Sequence, residues 1–117
     1  MADLSIGERI LRETTSQDLS AGVLNYTTGF NFDVEILYAH FRFTIAVTQT
    51  ITITFDSASG SNYDAVVISE KTSSETDYIF RPTGYGLIGA ADNLKFECTN
   101  SGTPAATVYL EIISVQR

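Results

Sequence analysis

The chain has 117 residues and a mass of 12.8 kDa, the length of one domain that can bury a single core without staples. A net charge of −7 and a pI near 4.4 disfavour phosphate backbones and anionic membranes, and the seven Lys and Arg form no basic stripe. Cys98 is the one cysteine, so no intrachain disulfide is available, and no apolar run reaches the length of a transmembrane helix.

Residues 1–15 mix charges and lack the apolar stretch of a secretory signal, so the chain is expected to be made in a cytosol. Residues 1–20 can act as an extended N-terminal arm, which carries Arg9 and Arg12 in an otherwise acidic molecule. Weak strand signals fall at about 8–14 and 22–28. In the next segment Leu37, Ala39, Phe41, Phe43, Ile45 and Val47 line one face by alternation. Ile36, Tyr38, His40, Arg42 and Thr44 line the other. Residues 50–55 alternate without a break, placing Ile51, Ile53 and Phe55 inward and Thr50, Thr52 and Thr54 outward.

Further weak strands are expected at about 63–70, 77–81 and 94–99. Near the C-terminus Val108, Leu110 and Ile112 alternate with Tyr109 and Glu111. Ser, Gly, Asn and Pro punctuate the intervals at the spacing expected of a sandwich or barrel. Residues 84–93 are too glycine-rich for a helix and read as a loop crossing between sheets. The fold class is therefore all-β: one antiparallel, jelly-roll-like β-sandwich of seven to nine strands.

Candidate chemistry is thin. His40 is the single histidine and falls on the polar face of its strand, where a surface or interface role fits best. Cys98 shares a strand face with Leu94 and Phe96 and reads as a small buried apolar residue. Asp56, Asn62 and Asp64 could offer oxygen ligands to calcium, yet their spacing is not that of an EF-hand and suits an ordinary hairpin. Asp33 and Glu35 share a strand face, a pairing that fourteen acids in 117 residues produce by chance. Phosphate loops, nucleophile elbows and dinucleotide fingerprints are all absent, so neither an enzyme nor a cofactor is expected.

Tyr26, Phe30, Phe32, Tyr38, Tyr63, Tyr78, Tyr85 and Tyr109 exceed what a small core requires. Tyrosine interspersed with arginine is the composition of contact surfaces. Protein contacts are the first expectation, and sugar stacking the second, although tryptophan, its usual platform, is missing.

Two segments carry a resemblance. One runs Ile51-Thr52-Ile53-Thr54-Phe55-Asp56-Ser57-Ala58-Ser59-Gly60-Ser61-Asn62-Tyr63-Asp64. The other is Phe80-Arg81-Pro82-Thr83 followed by residues 87–100, LIGAADNLKFECTN. With the final strand at 107–112, they resemble the small β-sandwich virion structural proteins of tailed bacteriophages over about residues 30–115. Ala91 departs from that pattern, which has glycine before the aspartate, and residues 1–25 match nothing in it. The resemblance implies a non-enzymatic capsid decoration (cement) protein, made in the host cytoplasm and seated on the virion exterior. Its implied partners are the major capsid protein and further copies of itself, a trimer being favoured. Arg9, Arg12, Tyr38, His40, Arg42, Thr50, Thr52 and Thr54 are the interface candidates. A head–tail joining, tail or fibre protein and a carbohydrate-binding module remain the alternatives.

Overall fold

The computed structural model describes residues 10–30, 32–82 and 87–117. Among them every regular element is a strand except one 3-10 turn at Ser61–Tyr63. The strands are β1 (Ile10–Asp18), β2 (Leu24–Gly29), β3 (Val34–Val47), β4 (Thr50–Asp56), β5 (Ala65–Lys71), β6 (Glu75–Phe80), β7 (Leu87–Ile88), β8 (Asn93–Cys98) and β9 (Thr107–Gln116).

All pairings are antiparallel and form two sheets. The first sheet has the order β1-β9-β3-β6, with the two-residue β7 added beside β3; the second has the order β2-β8-β4-β5. Setting β7 aside, each step from β1 to β6 except the β4–β5 hairpin and each step from β8 to β9 crosses between sheets. That interleaving of two Greek keys is a jelly roll, as the alternation and turn spacing led us to expect. The long β3 and β9 lie at the centre of the first sheet, and alternate side chains of each face the core.

The core lies between the sheets. Phe41 and Phe96 are both completely buried and approach across the gap with ring centroids 6.4 Å apart. Tyr78 meets Phe41 edge-on at 6.1 Å, a favoured aromatic geometry. Leu94, Phe96 and Cys98 point inward together, as do Ile51 with Ile53 and Val108 with Leu110 and Ile112. Burial pushes the Cys98 thiol up to about 11, so it is a packing group and a poor nucleophile at neutral pH.

One face assignment differs from the sequence reading. Strict alternation put Leu37 and Ile45 in the core and Ile36 outside. Instead Ile36 is buried and Ile45 is half exposed. A β-bulge causes the first change: Ile36 pairs with Ser114 and Tyr38 with Ile113, leaving Leu37 as an extra residue. The extra residue flips the pleat, so Val34 and Ile36 face inward before it and Ala39, Phe41 and Phe43 after it. Ile45 lies where the register to β6 jumps, from Arg42 opposite Asp77 to Val47 opposite Glu75.

A polar latch joins the loops at one end of the sandwich. Gln49 is buried, and its side chain accepts from the Ser101 amide at 2.7 Å and the Thr99 hydroxyl at 2.8 Å. Its amide nitrogen donates to the Ser101 carbonyl at 2.8 Å. The Gln49 backbone N–H in turn donates to the buried Thr72 hydroxyl at 2.9 Å. This cluster fixes the β3–β4 connection against the turn that follows β8, with its buried polar atoms satisfied.

Candidate interaction face

The first sheet's outer surface collects side chains from four strands. Register places Ser16, Tyr109, Arg42 and Asp77 side by side across β1, β9, β3 and β6. The next outward row is Thr14, Glu111, His40 and Ile79. Arg12, Ile113 and Tyr38 form a third, because β1 and β9 alternate in phase. Arg12, Tyr38, His40 and Arg42, all singled out from the sequence, therefore converge on one face. Arg9 lies outside the described residues, and residues 10–18 of the expected arm are the edge strand β1.

Sequence reasoning did not assemble the rest of this face. Asp77 and Ile79 come from β6, and Thr14 from β1. Tyr109 and Glu111 were visible as the polar side of the last strand, but nothing local says that this strand lies between β1 and β3. Tyr109 is 52% exposed, Ile79 46% and Ile10 40%, so apolar side chains stand in water on this face, as Val66 does on the second sheet.

Ion pairs and hydrogen bonds stiffen the surface. Arg12 Nε donates to Glu111 Oε2 at 2.7 Å, and Tyr38 Oη donates to the other oxygen of that carboxylate at 3.2 Å. Burial, followed by this bond to Glu111, raises the Tyr38 hydroxyl pKa, while Arg12 and Arg81 pull it back. His40 Nε2 lies 2.6 Å from Asp77 Oδ1, and the Thr76 hydroxyl donates to Oδ2 at 3.1 Å. The bond from His40 and then that from Thr76 hold the Asp77 carboxyl below its usual range. A carboxylate can only accept, so His40 donates from Nε2.

Arg42 differs from Arg12 in having no hydrogen bond or ion pair among the described residues. It lies beside Tyr109, and two surface hollows flank the pair. One, of about 490 Å³, is lined by Arg42, Phe43, Thr44 and Tyr109. The other, of about 280 Å³, is bounded by Thr14, His40, Arg42, Tyr109 and Glu111. Arginines and carboxylates balance here, Arg12, Arg42, Arg81 and Arg117 against Asp18, Glu35, Asp77 and Glu111, and Arg42 helps to hold the Asp77 carboxyl low.

The threonine candidates belong elsewhere. Thr50, Thr52 and Thr54 lie on the outer surface of the second sheet and are half buried between neighbours such as Glu97 and Lys95. Pairing at an edge through residues 50–55, a possibility raised by their exposed threonine face, is ruled out for this strand: β4 is flanked by β8 and β5. Among the described residues the edge strands are β1 on one side of the first sheet, β6 and the short β7 on the other, and β2 and β5 in the second sheet.

The remaining candidates are occupied in structure. Asp64 accepts the Ser57 amide at 2.8 Å, which closes the loop between β4 and β5, and Asn62 sits exposed in the 3-10 turn. Asp56 ends β4 opposite Asn93. Among the described residues no three His, Cys, Asp or Glu side chains gather as a metal site. Asp33 accepts the Ala90 amide at 3.0 Å, and Glu35 is ion-paired with Arg117. Of the surplus aromatics, Tyr26, Phe30, Phe32 and Tyr78 pack against the core, whereas Tyr63 is 67% exposed in its loop; Tyr85 lies outside the described residues.

The sequence matches no protein-family model and no curated protein. The chemistry of this face is therefore the ground on which function is argued.

Proposed function

We propose that this jelly roll is a non-enzymatic virion structural protein that decorates a phage capsid, docking on the major capsid protein through the outer face of its first sheet. One observation carries the reading: exposed Tyr109, Ile79 and Ile10 share that face with three arginines. Tyrosine and arginine are the residues enriched at interface centres, where an apolar body is buried and a polar tip finds a partner.

The size of the face suits a lattice. Four strands of about nine residues present roughly 600 Å² of sheet, against the ~800 Å² that each partner contributes to a stable complex. One copy then binds modestly, and repetition on a shell, or trimer formation, supplies avidity. The resemblance of residues 30–115 to phage virion sandwiches points the same way.

Co-sedimentation with purified phage capsids, together with solution mass by light scattering, tests the proposal. Occupancy in hundreds of copies per particle is the expected result. Recovery of about a dozen copies would replace decoration with a head–tail joining role, and no recovery at all would overturn the virion assignment.

A further inference from the structure

We propose that β6 is an association edge, on which a second copy of this chain pairs its own β6 antiparallel about a two-fold axis through Ile79. This contact goes beyond docking on a capsid and stands without it. β6 pairs with β3 on one side only, so its other side has no strand partner among the described residues.

The edges of the two sheets are not equivalent. β1 turns Glu13 toward the interior, opposite Ile112 of β9. β5 turns Glu70 inward opposite Ile51, and carries Val67 as an extra residue where its register to β4 shifts. Inward charges and bulges blunt an edge against a further strand. β2 has neither device, but outward it offers only Asn25 and Thr27 ahead of Gly29. β6 pairs with β3 without a break from Asp77 to Phe80, turns Tyr78 and Phe80 inward, and leaves Ile79 exposed on the outer face.

The sequence of this edge is self-complementary. Directly opposed side chains of an antiparallel pair point to the same side of the sheet. An axis on Ile79 therefore sets Ile79 against Ile79 of the partner subunit, Asp77 against the partner's Arg81, and Tyr78 against the partner's Phe80. Neighbouring axes fail: on Asp77 two aspartates meet, on Tyr78 Asp77 meets Ile79, and on Phe80 Ile79 meets Arg81. Copies of a chain carrying −7 repel one another, so they meet most readily where charge is balanced in this way. Asp77 accepts from His40 and Thr76, yet it is half exposed and keeps lone pairs for a guanidinium. Pro82 has no N–H and ends the ladder.

A hollow of about 430 Å³ lies along this edge, lined by Ile68, Glu70, Tyr78, Phe80 and Arg81. An added strand brings a second Tyr78 and Phe80 over it, and aromatic pairs across strands are favourable. Residues 77–81 pair over about 17 Å, a small contact, so the dimer is weak and concentration-dependent. It joins the two first sheets, four strands from each copy, into one continuous outer face.

Sedimentation equilibrium of the full chain, from about 10 μM to about 1 mM, tests the pairing. The mass should rise from 12.8 kDa toward twice that value. Asp77→Arg alone and Arg81→Asp alone each oppose like charges twice per dimer, and each should weaken association about tenfold or more. The double exchange restores the match and should return the affinity to within about threefold. Ile79→Cys gives a second measurement, with Cys98 buried out of reach. Opposed Cα atoms at about 4.5–5.5 Å suit a disulfide, so mild oxidation should yield a covalent dimer. Ser16→Cys, on the far edge strand, should yield none. A chain still monomeric at about 1 mM, or a limiting mass of three chains, would overturn the proposal, since an isologous edge closes at two. So would single exchanges that leave association unchanged, a double exchange no better than the singles, or the absence of the Ile79→Cys crosslink.

Discussion

The two outer faces of the sandwich are laid out on the same pleat with different side chains. On the first sheet long residues stand outward: Arg12, Tyr38, His40, Arg42, Ile79, Tyr109 and Glu111. On the second sheet the outward positions are Asn25 and Thr27 of β2, Thr52 and Thr54 of β4, Lys95 and Glu97 of β8, and Val66, Ser69 and Lys71 of β5. The inward positions of both are interchangeable in character, Phe41, Leu110 and Ile112 on one and Ile51, Ile53 and Phe96 on the other. Core packing constrains every second residue of a strand and leaves the alternate residues free. A protein can therefore carry a plain face and a specialised one over one core. Small β-branched threonines settle into the pleat of the second face between Lys and Glu neighbours, whereas tyrosines and arginines stand together on the first.

Cutting the shared foundation should have the largest effect. Phe41→Ala removes a fully buried ring that touches both Phe96 and Tyr78, and should cost about 3–5 kcal/mol in urea unfolding. Both faces would be lost together, whichever one binds.

The seam between the sheets comes next. Tyr26 of β2 donates to Glu13 of β1, whose other carboxylate oxygen is buried without a partner. Tyr26→Phe would leave both oxygens unsatisfied, and a loss of about 1–3 kcal/mol is expected. A stability unchanged by this substitution would mean that the β1–β2 side is not held by that bond.

The faces themselves can then be set against each other. Arg42→Glu combined with Tyr109→Ser should lower capsid occupancy tenfold or more while leaving the unfolding midpoint nearly unmoved, because both side chains are exposed. Thr52→Lys with Thr54→Lys on the second sheet should leave occupancy intact. If the threonine variant loses as much, the division of labour between the faces is wrong.

A smaller effect follows pH. Burial, reinforced by Glu13 and Glu70 respectively, lifts Tyr26 and Tyr78 from 10.0 to about 12, and burial lifts Cys98 from 9.0 to about 11. Groups whose folded pKa is raised hold more protons when folded, so their stabilisation is complete below the unfolded values and disappears as pH rises through the folded ones. The urea midpoint should therefore fall between about pH 9 and 12. At the acid end Asp77 and Asp18 are depressed below 3.8, so their contribution is present above that value and lost as pH falls further. Both carboxylates are exposed to solvent, and Asp77→Asn should remove only a slight acid sensitivity.

Much of the fold was readable in advance because alternation is local. Residues 50–55, 94–98 and 108–112 each wrote out their inward row, and all of these side chains are buried except Phe55, which is partly buried against the core. Alternation misplaced Ile36 and Ile45 for an equally physical reason: a one-residue bulge inverts the pleat, and an extra residue in one strand has meaning only against its partner. Part of the candidate interaction face was likewise legible in the 36–44 segment, where Tyr38, His40 and Arg42 share a side. Asp77, Ile79 and Thr14 were not, since they join it through strand neighbours remote along the chain.

By itself the sequence determined the class of architecture, the buried rows and the absence of familiar catalytic motifs, because these depend on residue types and on a two-residue period. Only the tertiary structure decided which strands are neighbours, that β4 is interior, and that Arg42 meets Tyr109 while the threonines face the opposite way. Strand order and register arise from closing loops between distant segments over a common core, and such contacts leave no trace in any short window of sequence.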